Sequence, residues 1–311
     1  MKIFYSLNDF LKSRASSGRF AVTIGVFDGV HRAHRRVIKT VIKKAKAKHL
    51  STLLITFNPH PANALIAPRK VPLLISLKHR LRLLREAGIE NVLILHFDRK
   101  FREMPAADFI KKVLCKIKLG EITIGENFRF GKGQLGTLRN LEEHGYTVDV
   151  VKTLKRSGLP VSSTRIRGLI LSGNLKKAEK LLSASVVVLG TVIKGHMRGR
   201  IIGFPTANIN PHHEAIPPSG VYAVKIKRKN RSYKGILNIG IRPTFTKSHS
   251  APVDPTIEVH LFDFNKPLYG EDLEIIFVKK IREEKKFKDA CALKEQIKKD
   301  ENRARRLLGR H

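Results

Sequence analysis

The chain has 311 residues, no tryptophan, and 61 Lys+Arg against 26 Asp+Glu, a formal net charge of +35. A hydrophobic fraction of 42% supplies packed cores and excludes a disordered basic tail, and the length points to two domains at about 100–200 residues each. Such a charge raises nucleic-acid binding as a class to be tested. Cys115 and Cys291 lie far apart with no metal-ligand spacing and no disulfide framework, which points to a reducing, cytoplasmic compartment. No apolar run approaches the ~18–20 residues of a membrane span, and the first twenty residues lack the pattern of a signal peptide.

Strands and helices alternate along the first half. Phe20–Ile24 is a short apolar run that stops at Gly25, and Val37, Ile38, Val41, Ile42 and Ala45 then recur with helical spacing. Leu53–Phe57 predicts a second buried strand. Leu77, Leu81 and Leu84 mark a helix that Gly88 ends, and Val92–Phe97 predicts a third strand. Phe109, Ile110, Val113, Leu114 and Ile117 outline another helix face, with strands at Glu121–Ile124 and Tyr146–Val151. This order implies an α/β domain with a parallel sheet covered on both faces.

Near residue 184 the pattern changes, which sets domains at 1–183 and 184–311. Short helices at Arg165–Leu171 and Leu175–Leu182 precede the change. Strand-like runs follow at Val186–Ile193, Gly220–Lys227, Tyr233–Asn238, Ile257–Phe262 and Leu273–Val278, separated by Gly and Pro. They predict an antiparallel barrel or sandwich, closed by a helix from about Asp289 to Leu308.

Four segments carry chemistry. GVFDGVHRAH (Gly25–His34) follows a strand and opens a helix, where glycines permit a tight turn and helix amides attract phosphate. His31 and His34 can face one side of the first turn; an ordinary loop with two surface histidines is the plainer alternative. VSSTRIR (Val161–Arg167) offers helix-capping hydroxyls with two arginines, and taken alone reads more simply as an ordinary N-capped helix. GFPTAN (Gly203–Asn208) places Thr206 and Asn208 two apart on an extended backbone, so a hydroxyl and an amide oxygen share one side as hard-metal ligands, or merely cap a turn. Glu258 alternates against Ile257, Val259 and Leu261, as a solvated carboxylate or a general base.

Taken in order, GVFDGVHRAH, TFNPHP, IGENFRFGKGQLG, VSSTRIR, GRIIGFPTAN, SGVYAV, NIGIRPTF, IEVHLFDF, LYGEDLEIIFV and IREEKKF closely resemble the prokaryotic bifunctional riboflavin kinase/FMN adenylyltransferase family over residues 18–307. The resemblance implies a Rossmann-like nucleotidyltransferase domain followed by a six-stranded riboflavin kinase barrel. It implies ATP, riboflavin, FMN and FAD as substrates and products, and Mg²⁺ as cofactor. In the first domain His31 and His34 would be catalytic, with Gly25, Phe27, Asp28, Ser163, Thr164 and Arg167 on ATP and its phosphates. Asn58, His60, Asn127, Phe128 and Arg129 would hold the flavin. In the second, Glu258 would be the catalytic base and His260 structural. Thr206 and Asn208 would be the metal ligands, and Lys194, Gly195, Arg200, Gly203 and Pro205 would contact ATP.

Three positions depart from the family. Ala33 replaces a glycine against which adenine packs, Asn127 stands for a common aspartate, and Thr137 for an acidic or amide residue. Two alternatives follow: a chain that is mainly a riboflavin kinase with an impaired second activity, or a basic nucleic-acid-binding protein. The expected partners are small molecules, with no specific nucleic acid and no membrane, and the expected state is a monomer or weak oligomer. Part of the +35 falls in the phosphate-facing loops (Arg129, Arg165, Arg167, Lys194, Arg198, Arg200). Much of the rest, at Lys39–Lys48 and Lys294–Arg306, is expected on solvated helix faces.

Overall fold

The structure, a computed structural model, describes residues 1–63, 71–194, 203–213, 215–241 and 255–309. The chain divides into two compact units, Met1–Pro72 with Leu77–Ser163, and Leu73–Ser76 with Thr164–His311.

The first unit is built on a parallel sheet. Its strands are β1 (Lys2–Phe4), β2 (Phe20–Ile24), β3 (Ser51–Asn58), β4 (Asn91–His96), β5 (Leu119–Gly125) and β6 (Val148–Val151). They lie in the order β1-β4-β3-β2-β5-β6, with every pair parallel. From β2 the chain winds outward one way through β3 and β4, and β5 then returns to the other side of β2. The gap between β2 and β5 is therefore the switch point, outside whose carboxyl ends ligands bind in such sheets.

The strands read as continuous apolar runs because both faces are covered. Phe20, Val22, Ile24, Leu53, Ile55, Ile122 and Ile124 form one core with Phe10 of α1 (Leu7–Lys12) and Phe109 and Ile110 of α5 (Ala106–Lys112). The alternate residues Ala21, Thr23, Glu121 and Thr123 take the opposite face. There α2 (Arg32–Ala47) buries Val37, Ile38, Val41 and Ala45 at helical spacing. Lys44 in this helix and Lys48 at its C-cap are not simply solvated. Lys44 and Lys48 both reach the buried Glu121 carboxylate, Lys48 at 2.8 Å, and Lys44 also pairs with Asp149 at 3.2 Å. Helices α3 (Leu77–Glu86), α4 (Arg99–Arg102) and α6 (Leu138–Glu143) complete the unit, with a short hairpin β7 (Lys155–Arg156) and β8 (Leu159–Pro160).

The predicted helix over 109–117 is shorter than its apolar pattern. α5 stops at Lys112, and Leu114–Lys116 forms a 3-10 turn whose tighter winding keeps Leu114 buried.

In the second unit α7 (Ser163–Leu171, whose first residue belongs to the first unit) and α8 (Leu175–Leu182) precede a closed six-stranded barrel. Its strands are β9 (Val187–Ile193), β10 (Ala207–Pro211), β11 (Gly220–Arg228), β12 (Arg231–Ile241), β13 (Pro255–Leu261) and β14 (Asp272–Arg282). They are antiparallel in the order β10-β13-β12-β11-β14-β9, and β9 pairs back onto β10. Inward residues alternate along each strand: Ile257, Val259 and Leu261 on β13 are buried, as are Leu273, Ile275 and Phe277 on β14. Strand β10 was not among the predicted strands. α9 (Ala290–Leu308), capped by the Asp289 carboxylate, seats Ala304 and Leu308 on the outside of the barrel with Val221, Ala223, Phe262 and Ile281. Among the described residues no helix is long and apolar enough to cross a membrane.

Candidate active sites

In the first unit the site grows from the turn between β2 and α2. Phe27, Gly29 and Val30 all have positive φ, at 54°, 85° and 40°. For Phe and Val this backbone costs on the order of 1–3 kcal/mol each, so the surroundings must hold it. Three carbonyls of the turn are tied down by side chains. Val26 O accepts from Thr56 Oγ1 at 3.1 Å and from Arg80, Asp28 O from Ser163 Oγ at 2.9 Å, and Val30 O from Arg35 Nε at 3.1 Å. With these oxygens engaged, an anion approaching the turn meets less negative charge.

His31 is the N-cap of α2, its Nδ1 accepting from the His34 amide at 3.4 Å. The two rings stack at 3.6 Å, 15° from parallel, so they do share one side of the first turn. Burial pushes the His31 imidazole down to about 4. Burial, then the neighbouring His31 and then Arg80 hold His34 well below the ordinary range. Both rings are therefore neutral near pH 7. His31 keeps Nε2–H to donate, since Nδ1 is an acceptor. His34 presents a half-buried ring whose Nδ1 is buried and has no hydrogen-bond partner among the described residues. An orphaned imidazole nitrogen beside a helix N-terminus fits the phosphates of a nucleotide.

A cavity of about 820 Å³ opens beside this turn and shares Gly25 and Val26 with it. Phe57, Phe97, Phe101, Phe109, Phe128 and Phe130 line it, a large flat-faced apolar lining suited to an aromatic ring system. Polar groups at its border include His60, Asn127, Arg129, and Glu103 bridging Arg102 and Lys132 at 2.7 and 3.0 Å. Asn127 Nδ2 donates to Thr153 Oγ1 at 3.0 Å, and Arg129 Nη1 to Phe128 O at 2.8 Å. Phe130 and Gly136 close the loop between them with reciprocal backbone bonds of 3.1 and 2.8 Å. Gly131, at φ 73°, lies so close to Ala106 that a Cβ would sit 2.7 Å from its backbone nitrogen.

Of the residues expected on ATP or flavin, Gly25, Phe27, Asp28, His31, His34 and Ser163 meet at the turn, and His60, Asn127, Phe128 and Arg129 at the cavity. Asn58 ends β3, where its carbonyl accepts from Phe97 N at 3.1 Å; it does not line the cavity. Thr164 and Arg167 belong to the second unit, the former exposed and the latter buried. Ala33 is the second residue of α2, two residues after His31 and immediately before His34.

In the barrel, the strand register assembles a row of polar groups. Asn208 on β10 lies opposite Glu258 on β13, which lies opposite Asn238 on β12. Cross-strand partners share a face with Cβ atoms about 4.5–5.5 Å apart. All three are half-buried and point away from the barrel interior that Ile257 and Val259 fill. Thr206 lies two residues before Asn208 on the wall of a second cavity of about 340 Å³, together with Pro205, Phe264 and Leu268. His260 has a structural contact, its Nδ1 lying 2.7 Å from Pro205 O. Gly203 has φ 85°, and Lys194 follows Ile193, the β9 partner of Asn208. Gly195 and Arg200 lie outside the described residues.

Thr206, Asn208 and Glu258 are all oxygen donors with one carboxylate among them, a set that fits Mg²⁺ completed by phosphate and water. Among the described residues there is no cluster of three or more His, Cys, Asp or Glu.

Two features escaped the sequence reading. Asn238 joins Glu258 only through strand register, which no spacing reveals. Arg80 sits on the apolar arc of α3 with Leu77, Leu81 and Leu84, and a basic residue on such an arc was the available signal.

Comparison with known proteins matches residues 13–165 to the FAD synthetase family and residues 182–308 to the riboflavin kinase family. The bifunctional riboflavin kinase/FMN adenylyltransferase of Escherichia coli K12 is 34% identical, with 99% of this chain and 98% of that protein covered. The protein of the same name from Bacillus subtilis 168 is 35% identical, with 95% and 94% covered. A crystal structure from Streptococcus pneumoniae, named as a macrolide-efflux protein, superposes with a TM-score of 0.83 at 30% identity over 97% of this chain and 98% of that one. Neither a nucleic-acid-binding reading nor a kinase with one idle half is favoured, since both catalytic halves match along a continuous alignment. With both domains and their order accounted for, the chain belongs to the bifunctional riboflavin kinase/FMN adenylyltransferase family.

Proposed function

We propose that the chain makes FMN and FAD at two separate sites, with residues 184–311 phosphorylating riboflavin and residues 1–183 adenylylating FMN. The observation that carries the reading is the shared border of the first unit's cavity. One wall is the tied-down turn beside His31 and His34, and the other is the phenylalanine lining, so a nucleotide and an aromatic flavin would meet there.

At the barrel, the riboflavin 5′-hydroxyl oxygen attacks the γ-phosphorus of ATP, its bond to the β-phosphate oxygen breaks, and ADP leaves. Glu258 accepts the hydroxyl proton, with Asn208 and Asn238 on either side to orient the carboxylate. Thr206 and Asn208 would hold Mg²⁺, which when bound neutralises phosphate charge. Lys194, Gly203 and Pro205 belong to the ATP side of this site.

In the first unit, a phosphate oxygen of FMN attacks the α-phosphorus of a second ATP, and pyrophosphate leaves. The nucleophile is already an anion, so positioning and charge stabilisation do the work. His31 and His34 donate to the phosphates, while Gly25, Phe27, Asp28 and Ser163 of the same unit enclose them. His60, Asn127, Phe128 and Arg129 seat the flavin, with Asn58 outside that lining. The partners are these small molecules, and the chain acts as a monomer or weak oligomer in the cytoplasm.

The test is a double dissociation. Glu258→Gln abolishes FMN formation and leaves FAD formation from supplied FMN. His31→Asn with His34→Gln does the reverse, the Asn preserving an N-cap acceptor. Loss of both activities in either variant contradicts the division of labour.

A further inference from the structure

Arg80 is 5% exposed, on α3, with its guanidinium beneath the β2–α2 turn. Nη1 donates to Val26 O and, at 3.3 Å, to Thr56 Oγ1; Nη2 donates to Phe57 O at 3.4 Å. Nε is buried with no protein partner among the described residues. Burial lowers the guanidinium from its ordinary value to about 10, with Asp28 opposing the shift, so it stays a cation near neutral pH; after burial and His31, this cation is the third influence that disfavours the His34 imidazolium. A buried arginine is costly unless its fork is used, and here the fork binds the last oxygen before the first positive-φ residue, Phe27. Thr56 holds the same oxygen, and Ser163 and Arg35 hold the next alternate two, but Arg80 alone among these four brings a buried cation.

We propose that Arg80 is a positioning residue for ATP in adenylyl transfer. By clamping Val26 O it holds the strained turn in the form that keeps its carbonyl oxygens turned away from the triphosphate, and it adds a fixed positive charge beneath the phosphate position. The proposal rests on the adenylyltransferase reading of the first unit. Without the clamp the turn relaxes in the free enzyme, and ATP must re-form it on binding. The deficit therefore falls on ATP affinity rather than on the rate of the bound complex.

The experiment measures FAD formation by the full chain from saturating FMN at varied MgATP, for wild type, Arg80→Met and Arg80→Lys. Arg80→Met is expected to raise KM for ATP at least tenfold with kcat changed less than threefold. Arg80→Lys, with the charge but without the fork, is expected to fall between, at about threefold. A merely structural arginine would reduce the amount of folded enzyme, hence apparent kcat, and leave KM alone. An unchanged KM for ATP in Arg80→Met overturns the proposal, and so does an unchanged KM in Arg80→Lys where the methionine variant cannot be purified. Absence of FAD formation in the wild type would instead overturn the functional reading, so the two failures are distinct.

Discussion

The stacked pair of histidines makes a pH-dependent contribution that can be worked through from its burial. His31 is 3% exposed and its imidazole is held down at about 4, from an ordinary value near 6.5. Below pH 6.5 the unfolded chain takes up a proton that the folded chain refuses. The unfolded state thus binds more protons, and stability falls as pH falls, the loss levelling off near pH 4. A difference of about 2.5 pH units corresponds to about 3 kcal/mol in full, of which about 2 kcal/mol is already lost at pH 5. His34, lowered by the same burial, adds loss in the same direction. Bound ATP acts oppositely, because a triphosphate beside the rings favours their charged form and raises both values.

The assay is urea unfolding at pH 7 and pH 5, comparing wild type with His31→Asn. For a slope of about 2 kcal/mol per molar urea, His31 alone should lower the wild-type midpoint of the first unit at pH 5 by about 1 M more than the variant's. ¹⁵N-histidine NMR gives the direct readout, a His31 midpoint near 4 that rises on adding ATP. A His31 midpoint near 6.5 in the free protein, or one that ATP does not move, refutes the reasoning.

Two further predictions concern the walls of the first site. Ala33→Gly should lower KM for ATP in FAD formation by removing the methyl group beside the adenine position, at a cost of about 1 kcal/mol in helix stability; an unchanged KM shows that the methyl does not crowd the base. Gly131→Ala places a Cβ 2.7 Å from the Ala106 backbone at a φ of 73°, so the 127–134 loop must move. KM for FMN should rise at least fivefold while riboflavin kinase activity stays unchanged, and an unaltered KM for FMN would remove that loop from the flavin site.

The legible parts of this fold were those whose signal is local. Phe20–Ile24 is a strand with the predicted bounds, and Leu175–Leu182 a helix with the predicted bounds, because continuous burial and helical periodicity are written in consecutive residues. The 1–12 segment was not read: β1 has three residues, too few for a period, and its place beside β4 is set by tertiary pairing. β10 carries Ala207–Pro211, where asparagines and proline mask the alternation.

The site shows the same contrast. His31 and His34 could be placed on one side of a helix turn from spacing alone. The cavity's six phenylalanines come from separated segments, from Phe57 on β3 to Phe130 after β5, so nothing local marks them as one wall. The Asn208–Glu258–Asn238 row required the register of three strands. Some of the basic residues on the helices are also not simply solvated: Lys44 and Lys48 pair with the buried Glu121, and Arg305 grips Asp263 and Glu301 at 3.0 and 2.8 Å.

The central claim is that one chain carries two consecutive transfers. The most direct measurement incubates the purified protein with riboflavin, ATP and Mg²⁺ and separates the flavins over time. The account predicts FMN appearing first and FAD following, with ADP and pyrophosphate released in step. Riboflavin left unconverted, or FMN accumulating with no FAD at saturating ATP, would contradict it.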